Sequence, residues 1–338
     1  MIRRKSIVVK IGLLLSVGLS LMPRFAPASQ WKEQAEVEKK MVWYTTIGSA
    51  DAKMLIDHFR QRYPKVTAEY FRTGGPQLVE RIFTEARAGK HLWDVFMNSA
   101  IYTQLLSGKG MLAVYESPES RFYREGYKDP RGTWTSIYTN YAVAGYNTKL
   151  VAKDEVPKSY IDLLKPIWSG QIGMDAKSYE WFAVVIRGLG EEKGLSFMRQ
   201  LAKNKVQLRN GRELVAQLVA AGEFKLALTA YSQNYETLKL GGAPVDWVAL
   251  DPVYANIHPV GLSVKAPNPN AGKLFIDFLL SKTGQEILRA QRRIPDRIDT
   301  PPEVARLTEG IKPAFGSAEM YSDFSRYIKL FQETFAAN

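Results

Sequence analysis

The 338-residue chain has no cysteine and three histidines, His58, His91 and His258, none of them four residues from another. Disulfides, thiolate metal sites, iron–sulfur clusters and cysteine nucleophiles are therefore excluded, and zinc-type histidine spacing is absent. A G-x-S-x-G elbow, a P-loop, H-E-x-x-H and G-x-G-x-x-G are also missing. What remains is a set of hydroxyl, amide and glycine clusters with cations beside them. They are Thr45-Thr46-Ile47-Gly48-Ser49, Thr73-Gly74-Gly75-Pro76-Gln77, Asn98-Ser99 and Arg209-Asn210-Gly211-Arg212. Each precedes a helix-like pattern. Such positions expose backbone N–H groups that suit an anion. Glycine lets the backbone approach a ligand closely, and a guanidinium grips carboxylate or phosphate bidentately. The same residue types serve as plain helix caps, and Arg72 and Arg209 suit a solvated surface equally. A fifth cluster, Asp175-Ala176-Lys177-Ser178-Tyr179-Glu180-Trp181, offers acids for a metal or amine, Lys177 for an anion, and Tyr179 and Trp181 for stacking on a ring. Its alternative is structural, with Trp181 in a core and Glu180 capping its own helix.

The elements that position these clusters follow from the apolar pattern. Strand-like runs at Lys40–Tyr44, Thr67–Arg72 and Asp94–Met97 alternate with helical patterns at Ser49–Gln61, Gln77–Ala88 and Ala100–Ser107. A second alternation runs from Tyr141–Tyr146 through Gly170–Met174, helices at Tyr179–Leu189, Glu191–Lys203 and Glu213–Ala221, to strands at Leu226–Ala230 and Val245–Ala249. A strand at His258–Lys265 and one long helix at Ala271–Arg289 close the pattern. Two α/β lobes follow, each a mainly parallel sheet flanked by helices. Extended crossings near 138–146 and 254–264 leave a cleft between them.

Met1 to Ala28 carries Arg3, Arg4, Lys5, Lys10 and Arg24, no acid, an apolar run from Ile11 to Met22, and Ala26-Pro27-Ala28. That is the pattern of a secretory signal; a membrane span would need about 20 apolar residues. No cysteine follows it, so no lipid anchor is expected. The remaining chain carries 41 basic and 34 acidic residues, net +7, with the cations scattered. Nucleic acid is not an expected partner.

The stretches VWYTTIGSADAKMLIDHFRQRYP, RIFTEARAGKHLWDVF and NPNAGKLFIDFLLSKTGQEIL resemble bacterial extracellular solute-binding proteins of ABC importers, in the branch that includes ferric-iron-binding proteins. The resemblance spans about residues 40 to 335. Its most specific part is the late block, in which Asn-Ala, an apolar helix and S-x-x-G-Q mark the return into the first lobe. It implies a type II periplasmic binding-protein fold that closes on a small-molecule ligand and docks on a membrane permease with its cytoplasmic ATPase. The expected location is the periplasm and the expected state a monomer. The implied domains are a signal peptide at 1–28, a first lobe at 32–137 plus 255–300, a second lobe at 138–254, and C-terminal helices at 301–338 packing on the second lobe. No catalytic residue, resident metal or cofactor is expected.

Ferric-binding members typically carry two adjacent tyrosines after the strand corresponding to Leu226–Ala230, and this chain has Tyr231 and Tyr235 separated by three residues. The histidine some members carry after the first strand is replaced by Thr45-Thr46-Ile47-Gly48, and the carboxylate after the third by Asn98-Ser99. These departures favour a small organic or phosphorylated anion, with ferric iron or an iron complex as the alternative and a cleft transferase as the more remote one. The ligand-binding residues expected are Thr45, Thr46, Gly48, Ser49, Gly74, Gly75, Asn98, Ser99, Lys177, Ser178, Tyr179, Arg209, Asn210, Tyr231 and Tyr235.

Overall fold

A computed structural model describes residues 29–335, so the signal-peptide expectation for 1–28 lies outside the described residues. The chain opens with α1 (Ser29–Glu38), β1 (Lys40–Thr45), α2 (Ser49–Arg62), β2 (Thr67–Arg72), α3 (Gly75–Arg87), β3 (Val95–Met97) and α4 (Ala100–Gly108). It continues with β4 (Thr135–Asn147), β5 (Ile172–Asp175), α5 (Tyr179–Leu189), α6 (Glu191–Lys203), β6 (Gln207–Arg209), α7 (Arg212–Ala221), β7 (Leu226–Tyr231), α8 (Ser232–Leu240) and β8 (Val245–Val248). The last part holds β9 (Val253–Leu262), α9 (Pro269–Leu280), α10 (Lys282–Ala290), β10 (Ile294–Pro295), β11 (Pro313–Ala314), α11 (Ala318–Ser322) and α12 (Phe324–Phe335).

The strands join in the order β2-β1-β3-β9-β4-β7-β5-β6. At one end β1 runs parallel to β2 and β3; at the other β5 runs parallel to β6 and β7. Between them β4 and β9 pair antiparallel with each other through Thr135↔Val260 to Tyr141↔Ala255. Each long strand also reaches into one flank, β9 pairing with β3 at 260–262 and β4 with β7 at 142–146. All ten residues of β9 are buried, as are twelve of the thirteen in β4. Both strands are thus covered on both faces, although polar residues interrupt the apolar run of β4.

Period-two alternation divides β1 between two cores. Trp43 packs with Phe59, Phe275 and Phe278 on one sheet face, and Tyr44 with Leu78, Trp93 and Phe96 on the other. The other flank is built likewise: Met174, Trp181, Phe182 and Phe197 join Phe331 and Phe335 of α12, while Val143, Val215, Phe224 and Tyr235 pack on the opposite face. The architecture is α/β and two-lobed, each lobe a mainly parallel sheet flanked by helices.

Three sequence-level expectations change. The single helix expected at Ala271–Arg289 is two, because Ser281 is extended and its Oγ caps α10 by accepting from Gly284 N at 3.2 Å. A Cβ on Gly284 would lie 2.2 Å from the Phe278 carbonyl, so the S-x-x-G-Q block is a tight helix break. The strand expected at Tyr141–Tyr146 begins six residues earlier, where the polar residues Thr135, Ser136, Thr139 and Asn140 are buried inside the crossing. Finally, α1 is an unforeseen element: Glu38 at its end accepts from the Asn270 and Ala271 backbone N–H groups at 3.2 and 2.8 Å and so caps α9. Among the described residues no helix is long and apolar enough to cross a membrane.

Candidate functional site

The helices that follow β1, β2, β3, β5 and β6 start without a side-chain cap of their own, whereas α10 and α11 are capped by Ser281 and Ser317. Their first N–H groups are therefore the unpaired donors of the loops beside the crossing strands. Asp175, the last residue of β5, ties two of these loops together. Its Oδ1 accepts from Gly211 N at 2.9 Å and its Oδ2 accepts from Ser178 Oγ at 3.4 Å.

Arg212, the first residue of α7, is the cation of this region. Its Nε lies 3.6 Å from Asp175 Oδ2, and its Nη1 donates to Tyr231 Oη at 2.7 Å. The guanidinium also sits over the Tyr231 ring, 4.7 Å from the centroid. Burial works against its charge, but Tyr231, Tyr254, Asp175 and Glu180 outweigh it and hold its pKa above the ordinary value. Nη2 has no hydrogen-bond partner among the described residues. Tyr231 Oη accepts a second bond from Asn256 Nδ2 of β9 at 2.7 Å. Burial raises the Tyr231 pKa against the pull of Arg212 and Asn256, so the phenol keeps its proton. With both lone pairs engaged, that proton is free to be donated.

Residues of the other flank and of the crossing lie within electrostatic reach of this group. Arg293, which follows α10, donates from Nε and Nη2 to Asp51 Oδ2 of α2 at 2.9 and 2.6 Å and lies over the Tyr138 ring. Tyr138 stacks on His258 at 4.2 Å between centroids. His258 is pushed down to about 3, chiefly by burial and then by Arg293, and stays neutral. Gln233 of α8 donates to Asn140 Oδ1 of β4 at 2.5 Å.

The expected ligand residues divide sharply. Thr46, Gly48 and Ser99 are partly exposed, and Ser49, Gly74, Lys177 and Asn210 are exposed at the loop tips. Gly75 is required sterically: a Cβ there would lie 2.8 Å from the Tyr102 ring and 3.0 Å from Asn98 Oδ1. Asn98 is spent on structure, donating to Gly75 O at 3.1 Å and accepting from Ser99 N at 2.8 Å. Thr45 is fully buried; its Oγ1 accepts from Ile47 N and donates to Met97 Sδ, so it shapes the loop from within. Ser178 is likewise buried against Asp175.

Three further placements are corrected. Arg209 turns away from Arg212 and Tyr231: Nη2 pairs with Glu223 Oε1 at 2.6 Å and the guanidinium lies over Phe224, which precedes the amino end of β7. Tyr179 packs edge-on against Phe331 at 5.1 Å and Trp181 is buried beside it, so neither offers a free stacking face. Tyr235 is wholly buried in a lobe core, its ring on Gly145, where a Cβ would come within 1.9 Å. Burial raises its pKa strongly. Tyr231 and Tyr235 thus do not converge on a common ligand. Among the described residues no three of His, Asp and Glu gather in a metal-ligand cluster.

Sequence reasoning singled out the clusters that hold Arg212 and Glu180 but left both out of the expected ligand residues, and it passed over Asn256 and Arg293. The signal for Arg212 was present, since it closes the Arg209-Asn210-Gly211-Arg212 cluster at the start of a helix.

Comparison with known proteins agrees with this architecture. Residues 90–321 match the family model described as bacterial extracellular solute-binding protein. A putative 2-aminoethylphosphonate-binding periplasmic protein of Salmonella typhimurium is 24% identical over 249 residues, 70% of this chain and 72% of that one. Iron-bound HitA from Pseudomonas aeruginosa superposes with a TM-score of 0.75 at 20% identity, covering 87% of this chain and 99% of HitA. AfuA from Actinobacillus pleuropneumoniae, with fructose-6-phosphate bound, gives 0.72 at 22% identity, covering 88% and 99%. The fold is that of type II periplasmic binding proteins, and the chain belongs to the bacterial extracellular solute-binding protein family, a family of binding proteins rather than enzymes.

Proposed function

We propose that the chain is a periplasmic receptor that takes a small organic or phosphorylated anion into the cleft between its lobes and passes it to the permease of an ABC importer. The observation that carries the anion is Arg212. Its guanidinium is held over Tyr231 with Nη2 unengaged, beside loops whose helix N-termini lack side-chain caps. Such a fork suits a phosphoryl or carboxylate group, and the neutral Tyr231 supplies a further donor. Relatives named for ligands bearing a phosphonate or a phosphate support the reading. Iron fits less well: HitA is an iron-bound relative in fold, but here Tyr235 is buried in a core and Tyr231 Oη already takes two donors. A hard trivalent cation needs ionised oxygen ligands, and the environment of Tyr231 keeps its proton on.

Arg293 of the other flank lies within electrostatic reach of this group; a ligand that engages both flanks favours the closed arrangement of the lobes, and that arrangement is what a permease would read. No bond of the ligand is made or broken. Native mass spectrometry of protein purified from its host tests the ligand class. The expected result is a retained small anion lost on mild denaturation; a retained bare ferric ion would refute the reading. N-terminal sequencing of the exported product should begin near Ser29 or Gln30, and a cytoplasmic product retaining Met1 would refute the periplasmic location.

A further inference from the structure

The charges near Arg212 do not balance if the ligand is a bare anion. Two arginines, Arg212 and Arg293, stand with three acids, Asp175, Asp51 and Glu180. Asp175 already faces Arg212, and Asp51 is the direct partner of Arg293. Glu180, in the first turn of α5, is the acid left over. Its Oε1 is buried with no partner at good hydrogen-bond geometry among the described residues, as is the hydroxyl of the neighbouring Tyr254 on β9; burial raises the Glu180 pKa against the pull of Arg212 and Tyr254. The field of Glu180 reaches three tyrosines from separate elements: Tyr254, Tyr102 of α4 and Tyr321 of α11. Tyr102 and Tyr321 also wall a groove of about 810 Å³ between α4 and α11, together with Leu105 and Phe324.

An anion added beside Arg212 would further oppose the negative charge of Glu180, which burial already disfavours. A ligand carrying its own ammonium restores the balance. It gives Glu180 Oε1 and Tyr254 Oη a polar partner, and aromatic faces attract a cation. We infer that the site takes a zwitterion, with its anionic head on Arg212 and its ammonium at Glu180 among Tyr102, Tyr254 and Tyr321. This rests on the anion reading above and narrows it, making Glu180 the specificity-determining residue.

Calorimetry on the full mature protein with matched probes tests it: 2-aminoethylphosphonate against ethylphosphonate, and β-alanine against propionate. In one pair the amine-bearing member should bind about ten- to a hundredfold more tightly. In Glu180→Gln the two members should fall within about threefold of each other, the amine-bearing member weakened and the amine-free member bound somewhat more tightly because the opposing negative charge is gone. A merely structural role for Glu180 would weaken both members equally, and that result overturns the inference. Should Glu180→Gln fail to give a cooperative melt, Tyr254→Phe should shrink the same preference; an undiminished preference there overturns the inference too. Equal binding of both members by the wild-type protein overturns the zwitterion and leaves the anion standing. Binding of neither pair overturns both.

Discussion

Replacing Arg212 with alanine separates a binding role from a structural one more cleanly than any other single change. The side chain is 15% exposed, donates to Tyr231 at 2.7 Å and lies 3.6 Å from Asp175, itself 9% exposed. In the unliganded protein the change leaves Asp175 without its cation and Tyr231 with Asn256 as its remaining donor. Losing a partner of a buried polar group costs roughly 1–3 kcal/mol. That should show as a lower melting temperature. The ligand loses a charge-assisted contact of roughly 1.5–3 kcal/mol, so its Kd should rise about ten- to a hundredfold. Arg212→Lys keeps the charge but not the fork, and should fall between. Arg209→Ala is the internal control. Its pair with Glu223 is 35% and 43% exposed, a class worth about 0–1 kcal/mol, and it points away from Tyr231. Titration calorimetry with the ligand recovered from the host, run beside melting curves, reads both effects. Wild-type affinity in Arg212→Ala, or a tenfold loss in Arg209→Ala, would show that the anion is held elsewhere.

Tyr235→Phe should leave ligand affinity unchanged, because the hydroxyl it removes is buried and unpartnered; a tyrosinate-to-iron absorption band with ferric citrate that vanishes in this variant would contradict that. Gly145→Ala drives a methyl into the Tyr235 ring and should destabilise by roughly 1–3 kcal/mol in denaturant unfolding; an unchanged midpoint would show that the ring can move aside. Asp296, buried beside Thr139 of the crossing, is pushed up to about 7, chiefly by burial. Its folded pKa lies above the unfolded one, so its contribution is present in acid and is lost as pH rises from about 4 through 7. Asp296→Asn should therefore gain stability relative to wild type across that window, and a pH-independent difference would refute the assignment. His258, held low, contributes with the opposite sign and is common to both proteins.

What the sequence made legible was set by burial on two faces. Runs such as Leu226–Ala230 and Lys40–Tyr44 are mostly apolar because they are covered on both sides, and their bounds move by one residue. The crossing was harder to read, since Ser136, Thr139 and Asn140 are polar yet buried, satisfied by Asp296, Gln233 and backbone. For the site, composition located the loops but not the side-chain directions. Arg209 and Arg212 stand three residues apart around Asn210-Gly211. Only the three-dimensional arrangement reveals that Glu223 and Phe224 draw one away while Tyr231 and Asp175 hold the other. Tyr235 misleads for a related reason: α8 begins at Ser232, so one turn of helix carries Tyr235 into the core beneath β4.

The cap that Glu38 places on α9 joins residues 232 positions apart. One core of the first lobe draws on Ala35 to Ala68, on Val95 to Tyr138 and on Val260 to Leu288. A chain emerging amino end first therefore cannot finish that core until most of its length has been delivered. The second lobe takes most of its core from one stretch, Ala142 to Tyr254, and completes it with Met320, Tyr327, Phe331 and Phe335 from the carboxyl end. Long-range pairings form late because their loops must close first. Neither core closes before its carboxyl-terminal part arrives, α9 and α10 for the first lobe and α12 for the second. While β1 and α2 wait for α9, Trp43 and Phe59 remain uncovered. It is in this interval, rather than in the finished receptor, that the protein is most open to aggregation and to a chaperone's grip.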